Sequence, residues 1–148
     1  MKLYHGSKTK GIKVLKAIYH PLVKRKVVFA TPDKNFALAM IWGTRDELAV
    51  GYYKNTKTKE KIMYIDELKP KKLELLNQEG YLYEVDNGGF TQNKRLMKEE
   101  YIVTKDIKVQ KEIKIKNILT RLKRTKKVKI VPYDNVLKEM QKRDKETQ

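Results

Sequence analysis

The sequence predicts an α+β fold in which strands outnumber helices. Several short runs are rich in β-branched and aromatic residues, as at 27–30. The stretch 107–115 alternates apolar residues with lysine, which is the period-two pattern of a half-buried strand. Helical patterns are short and do not alternate regularly with the strands. We therefore expect mainly antiparallel sheets with short flanking helices.

Local patterns place the individual elements along the chain. The runs 48–54 and 62–65 flank a polar loop, which favours a β-hairpin. A helix is expected after Thr31, which is suited to cap it, and its apolar residues continue almost to Gly43. The remaining strands are predicted at 2–4, 27–30, 81–85, 100–103, 107–115 and 128–131, and short helical or turn segments at 11–17, 73–76 and 117–123.

The composition fits one globular domain over residues 1–148. Hydrophobic residues make up 40% of the chain and include nine tyrosines, which is enough to build a core. The charged segment at about 134–148 is expected to form a last helix that frays into a tail. The absence of cysteine excludes disulfides and thiolate metal sites. Without a long apolar run or a signal-peptide pattern, we expect a cytoplasmic protein.

The charge is strongly positive, with 35 Lys and Arg against 18 Asp and Glu and a net charge of +17. This balance attracts polyanions such as nucleic acids, nucleotides or acidic proteins, and a lysine-rich solvated surface explains it equally well. The densest basic run contains no aromatic residue for base stacking, so it predicts phosphate contacts without base-specific recognition. Its cationic residues are Arg121, Lys123, Arg124, Lys126 and Lys127.

The segment 4–7 groups hydrogen-bonding residues at the end of the first predicted strand. His5 and Ser7 offer polar side chains, and Gly6 leaves its backbone open to close approach. Such a set suits a flat polar ligand. The alternatives are a half-buried histidine bonded to the backbone and a turn capped by Ser7. His20, in a loop, has no evident partner in the sequence and is expected to be solvated.

The order of the motifs resembles the ADP-ribosyltransferase fold, most closely its poly(ADP-ribose) polymerase branch. In that family a strand ends in His-Gly-Ser or His-Gly-Thr, a short helix follows, and a second apolar strand leads directly into a helix. The residues 5–7, the segment 12–15 and the strand 27–30 match this order. Glu99 and Glu100, at the head of a later strand, match the family's glutamate motif. The resemblance covers residues 1–42 well and residues 81–115 loosely.

The resemblance implies split antiparallel β-sheets and an enzyme that cleaves the nicotinamide–ribose bond of NAD without a metal. It suggests a mono-ADP-ribosyltransferase or an NAD glycohydrolase of bacterial or phage type, with a protein or a nucleic acid as acceptor. By this resemblance His5 bonds a ribose hydroxyl, while the Gly6 backbone and the Ser7 hydroxyl bind the nicotinamide amide. Glu100 is the expected catalytic carboxylate because it adjoins the apolar run, and Glu99 is expected to face the acceptor.

One position departs from the family pattern. The tyrosine that stacks on nicotinamide falls on Val28 in this chain. Strand neighbours point to opposite faces, so Phe29 replaces that tyrosine only if a bulge shifts the register. Otherwise a tyrosine elsewhere replaces it, or the stacking partner is lost. The sequence therefore keeps two other functions open. One is a non-catalytic basic module of the same fold that binds nucleic acid or an acidic protein. The other is an RNA 2′-phosphotransferase-like enzyme, whose additional basic cleft residues have no identified counterpart.

Overall fold

A computed structural model describes residues 1–147 and confirms a mixed α+β fold, with mostly antiparallel sheets and few short helices. The chain forms two compact units, each built from two separate stretches. The first unit contains Met1–Ile41 and Gly80–Ile115, and the second contains Trp42–Glu79 and the chain from Lys116 onward. The predicted tail includes Gln148, which lies outside the described residues. Among residues 1–147, no helix has both the length and the apolarity needed to cross a membrane.

The elements follow one another in chain order as strands β1–β12 and helices α1–α3, with short 3-10 helices at Lys72–Leu76 and Tyr133–Asn135. Their bounds are β1 (Lys2–Ser7), β2 (Val14–Leu15), β3 (Ile18–His20), β4 (Arg25–Ala30), α1 (Lys34–Ala39), β5 (Leu48–Lys54), β6 (Lys61–Glu67), β7 (Gly80–Asp86), β8 (Thr91–Gln92), β9 (Tyr101–Val103), β10 (Ile107–Lys108), β11 (Lys111–Ile115), α2 (Ile118–Lys123), β12 (Val128–Val131) and α3 (Val136–Glu146).

The first unit holds a three-stranded sheet of order β1-β7-β11 and a four-stranded sheet of order β3-β4-β9-β8. Tyr4 connects them, because its N–H donates to the Thr31 carbonyl at 2.8 Å and its carbonyl accepts from the Thr31 N–H at 2.9 Å. Leu3, Val28 and Tyr83 are buried in one core cluster of this unit. The bridge at Thr31 thus holds the end of β4 against β1.

The second unit is built on the predicted β5–β6 hairpin. β12 pairs in parallel with β6, so this sheet has the order β12-β6-β5. Met63 and Ile65 of β6 are buried, as are Ile118 and Leu122 of α2. The asparagine before α2 caps it as its residue type favours, since Asn117 accepts from the Thr120 N–H at 2.9 Å.

A buried ion pair joins β6 to α3 in the second unit. Arg143 Nη2 donates to the two Asp66 carboxylate oxygens at 2.9 and 2.8 Å. The guanidinium carbon lies 4.0 Å from the centroid of the Tyr64 ring. Burial raises the pKa of Asp66, and the hydrogen bonds and charge of Arg143 oppose that rise. The pair holds α3 on the sheet, because removing either partner would leave an uncompensated buried charge.

Two predictions for the first unit are wrong because long-range pairing outweighs local pattern. The segment 11–17 is predicted to be a short helix or a turn, but β2 forms within it and pairs with β10. The stretch 107–115 was expected to be one strand, but β10 pairs with β2 while β11 pairs with β7. Alternation of apolar residues marks both halves as strand and does not reveal that they join different sheets.

The helix α1 begins and ends differently from the prediction. Asp33 rather than Thr31 is its cap, accepting from the backbone N–H groups of the first turn, while the Thr31 hydroxyl accepts from the Asp33 N–H at 3.1 Å. The helix ends at Ala39 instead of near Gly43. Ile41 donates to the Leu38 carbonyl at 3.4 Å, which tightens the end of the helix. Apolar residues beyond α1 are thus buried without being helical.

Candidate functional site

His5 lies half-buried on β1 with one ring nitrogen engaged. Its Nδ1 is 2.7 Å from the carbonyl oxygen of Phe29. A carbonyl oxygen can only accept, so Nδ1 carries the hydrogen and the neutral ring presents Nε2 as an acceptor. Burial lowers the pKa of His5 below its ordinary value of about 6.5, and the hydrogen bond to Phe29 opposes that shift in part. At neutral pH the imidazole is therefore uncharged and can accept a hydroxyl hydrogen at Nε2.

The backbone of Gly6 faces an unpaired edge of β1. Hydrogen-bonding direction alternates along a strand, and Tyr4 directs both of its groups to Thr31. Gly6, two residues on, therefore points its N–H and C=O to the same side, away from β7. Within residues 1–147, neither group forms a backbone bond outside the strand pairing. The edge thus offers one donor and one acceptor beside the His5 side chain.

Gly6 is also required by packing, which the sequence did not indicate. A Cβ at this position would meet the Ala37 carbonyl oxygen and would lie 2.7 Å from Cγ1 of Ile41. The missing side chain thus points toward α1 and the turn that follows it. Glycine at position 6 is expected because it leaves room for a ligand. The close approach of the helix is a second reason for glycine at this position.

Ser7 ends β1 and helps to form the turn that follows. Its Oγ accepts from the Thr9 N–H at 3.1 Å. The hydroxyl hydrogen can still be donated, because a serine oxygen accepts and donates at once. Ser7 is half-buried and directly follows the open backbone of Gly6.

Val28 and Phe29 face opposite sides of β4, as their neighbouring positions require. Val28 is 2% exposed within the same core cluster as Leu3. It therefore cannot stack on a ligand. Phe29 is half-buried and packs against a second, smaller cluster, with Val23, Val27 and Ile102 at its centre. Of the two candidates for the family's tyrosine, only Phe29 has an accessible side chain.

His20 lies beside Phe29, a contact that the sequence did not predict. It was expected to be solvated, but its ring packs edge-on against Phe29, with centroids 4.9 Å apart and planes 66° apart. Its Nδ1 accepts from the Leu22 N–H at 3.2 Å. The contact arises from the β3–β4 hairpin, in which His20 pairs with Arg25. Only a prediction of that hairpin, with its turn at 21–24, would have revealed it.

Glu99 and Glu100 directly precede β9, and both are partly exposed. The Glu100 N–H donates to the Met97 carbonyl at 3.0 Å, so the strand begins one residue later than expected. Tyr101 lies opposite Ala30, and Tyr4 lies opposite Thr31.

The structure therefore brings the two predicted motifs to the same end of β4. The backbones at Tyr4 and Tyr101 lie within about two inter-strand spacings of each other, or roughly 10 Å. His5, Gly6 and the two glutamates thus belong to one unit of the protein, although 94 positions separate His5 from Glu99 in sequence.

The predicted polyanion-binding run lies in the second unit. It covers the end of α2 and the turn before β12, and only Leu122 and Thr125 within it are not exposed. All five cationic side chains of the run are exposed: Arg121, Lys123, Arg124, Lys126 and Lys127.

Comparisons with family models, with curated proteins and with solved structures give no match for this chain. In the part of the chain that the structure describes, no group of three or more His, Asp and Glu side chains is arranged to hold a metal ion. The candidate site for an organic ligand consists of His5, Gly6 and Ser7 on β1, and the other predicted site residues, Phe29, Glu99 and Glu100, belong to the same unit.

Proposed function

We propose that this protein has an ADP-ribosyltransferase-like fold and cleaves the nicotinamide–ribose bond of NAD, as a mono-ADP-ribosyltransferase or an NAD glycohydrolase. The observation that carries the proposal is the open edge of Gly6 beside the neutral imidazole of His5. The carboxamide of nicotinamide has one acceptor oxygen and donor hydrogens, which complement the N–H and C=O of Gly6. The Ser7 hydroxyl, on the next residue of the chain, can donate a further hydrogen bond to the same amide.

His5 then binds the ribose next to the nicotinamide. Its Nε2 is an acceptor because Nδ1 is committed to Phe29, so it accepts from a ribose hydroxyl. The lowered pKa of His5 keeps this acceptor unprotonated at neutral pH. β4 pairs with β9 in regular register without a bulge, so Phe29 does not replace the family's tyrosine, and this proposal assigns no stacking ring to the nicotinamide.

Glu100 stabilises the transition state in this proposal. The bond from nicotinamide nitrogen to ribose carbon breaks, and its electron pair leaves with nicotinamide, which becomes neutral. Positive charge develops on the sugar, and a carboxylate beside it lowers the energy of that state. Water or an acceptor then forms the new bond to the ribose carbon and gives up a proton. Glu99 lies on the side of the acceptor.

Release of nicotinamide from radiolabelled NAD tests this function. The wild-type protein is expected to release it, and Glu100→Gln is expected to slow the release by about a hundred- to a thousandfold. Glu99→Gln is the matched control, expected to keep NAD cleavage and to alter only transfer to an acceptor. No nicotinamide release by the wild-type protein would reject the proposal, and full activity of Glu100→Gln would reject the assignment of the glutamate.

A basic binding module of the same fold is the second candidate, and burial of Val28 in the core favours it. That burial removes the stacking position of the family, while the exposed cations remain. This candidate predicts nucleic-acid binding that weakens steeply with salt and no measurable affinity for NAD. Calorimetric titration with NAD separates the two, because only the enzyme is expected to bind it.

A further inference from the structure

The segment between the His5 strand and β4 carries an unusual charge. Residues 8–26 include seven cationic residues and no acidic residue. All seven side chains are exposed: Lys8, Lys10, Lys13, Lys16, Lys24, Arg25 and Lys26. The segment has two more cationic residues than the run 121–127, although they are spread over a longer stretch, and it lies within the unit that contains the candidate site.

Acidic residues from elsewhere in the first unit neutralise only part of the positive charge of this segment. Asp106 lies 3.4 Å from Lys16, and Glu112 accepts from the Gly11 N–H at 2.6 Å near Lys10 and Lys13. The charge of Lys26 also acts on Asp106, although more weakly than that of Lys16.

The three cations around the turn of the β3–β4 hairpin are less compensated. Among the described residues, Lys24, Arg25 and Lys26 form no ion pair within 4.0 Å. Arg95 lies at the same turn, donating to the Leu22 carbonyl at 3.1 Å. The hairpin turn therefore gathers four cationic side chains.

The same hairpin exposes a large aromatic ring. Tyr19 is 62% exposed on β3, which is an edge strand, and its cross-strand partner on β4 is Lys26. Partners across an antiparallel pair share one face, so the ring and the ammonium group lie side by side. Ile18 and Leu22 add exposed apolar surface at 66% and 41%. The run 121–127 itself contains no aromatic residue.

We propose that the β3–β4 hairpin binds single-stranded nucleic acid, and that this strand is the acceptor of the ADP-ribosyl group. Phosphates contact Lys24, Arg25, Lys26 and Arg95, and one base stacks on Tyr19. Cations interleaved with an exposed ring are the features that single-strand binders use. A duplex does not offer the face of its bases, and an acidic protein leaves the ring unused. Charge and ring together therefore select the single strand.

The hairpin also leads directly to the candidate NAD site. His20 ends β3 and packs on Phe29, whose carbonyl accepts from His5. One chain of contacts within the first unit therefore connects the hairpin to His5. The acceptor role rests on the proposed function. In that step a nucleophilic nitrogen or oxygen of the nucleic acid forms the bond to the ribose carbon as nicotinamide leaves, and the nucleophile loses its proton to solvent.

Binding is tested with fluorescein-labelled single-stranded DNA and RNA of about 16 nucleotides, followed by fluorescence anisotropy. The triple variant Lys24→Glu, Arg25→Glu, Lys26→Glu is expected to weaken binding at least tenfold. Loss of three phosphate contacts should also reduce the slope of log K against log salt by about 2. Tyr19→Ala is expected to weaken binding by about tenfold. Circular dichroism confirms that each variant is folded.

The triple variant Arg121→Glu, Lys123→Glu, Arg124→Glu is the matched control, because it changes the net charge equally. It is expected to reduce affinity by less than threefold. An equal loss of affinity in both triple variants would overturn the proposal, as would equal affinity of the wild-type protein for duplex and single strand. So would competition by poly-glutamate as effective as competition by unlabelled oligonucleotide. Absence of binding by the folded wild-type protein would also overturn it.

A second measurement separates this inference from the proposed function. Nicotinamide release without an acceptor tests NAD cleavage alone, and the hairpin triple variant is expected to retain it. Transfer of labelled ADP-ribose to the oligonucleotide is expected to fall at least tenfold in that variant. Unchanged transfer would reject the hairpin as the acceptor surface while leaving NAD cleavage intact. Binding without any nicotinamide release would reject the proposed function and keep only the binding surface.

Discussion

The two units of the protein differ in how their most conspicuous polar residues are used. In the first unit, His5 is half-buried, and both its Nε2 and the Gly6 backbone keep hydrogen-bonding capacity. In the second unit, Asp66 and Arg143 are only 3% and 7% exposed and bond to each other. A polar group that is paired and buried has a structural role, whereas one with capacity left at a strand edge is suited to a ligand.

The largest expected effect comes from breaking the ion pair of the second unit. Arg143→Met leaves the Asp66 carboxylate buried without its partner, which is expected to lower the free energy of unfolding by about 3–5 kcal/mol. Urea denaturation followed by Trp42 fluorescence measures it, because the single tryptophan belongs to this unit.

The double variant Asp66→Leu, Arg143→Met is the control for that experiment. It removes both charges at once, so it is expected to recover most of the lost stability. A double variant as unstable as Arg143→Met alone would show that the contact acts through packing and not through charge. A single variant of wild-type stability would contradict the structural role of the pair.

A smaller effect is expected at Gly6 in the first unit. Gly6→Ala places a methyl group against Ile41 and the Ala37 carbonyl, and it is expected to lower the free energy of unfolding by about 1–3 kcal/mol. Gly88→Ala is the matched control, because a Cβ there meets nothing within 4 Å. Thermal denaturation monitored by circular dichroism compares them. Equal stability of the two variants would mean that α1 does not require glycine at this position.

The smallest expected effect is a pH dependence from His5. Its pKa is lower in the folded protein than in the unfolded chain, so the unfolded chain binds the proton more readily. The stability contribution is present above about pH 6.5 and is lost as the pH falls through the folded pKa. Urea denaturation at several pH values should show this loss. In His5→Asn, whose amide can still donate to Phe29, the corresponding part of the loss should vanish.

The sequence predicted those elements whose determinants are local. The hairpin 48–54 with 61–67 follows from two apolar runs around a polar loop, whereas the cap of α1 was predicted at Thr31 and is Asp33. Helix α1 was predicted too long, because burial of Ile41 imitates a continuing helical pattern.

Contacts between residues that are far apart along the chain could not be predicted from the sequence. Asp66 and Arg143 are 77 positions apart, and no local pattern distinguishes them from surface charges. The parallel pairing of β12 with β6 and the contact of His20 with Phe29 are equally non-local. The motif set of the candidate site could be named from sequence, since its residue types are distinctive. That α1 packs too closely on Gly6 to leave room for a side chain could not be predicted, because it depends on where α1 lies in the fold.

The central claim is that the β1 edge and the acids before β9 form one NAD site. A crystal structure of the protein soaked with NAD tests it most directly. We expect the nicotinamide amide within hydrogen-bonding distance of the Gly6 N–H and C=O, the adjacent ribose at His5 Nε2, and Glu100 as the carboxylate nearest the ribose carbon. Nicotinamide bound away from Gly6, or a ribose that contacts neither His5 nor Glu100, would contradict the account.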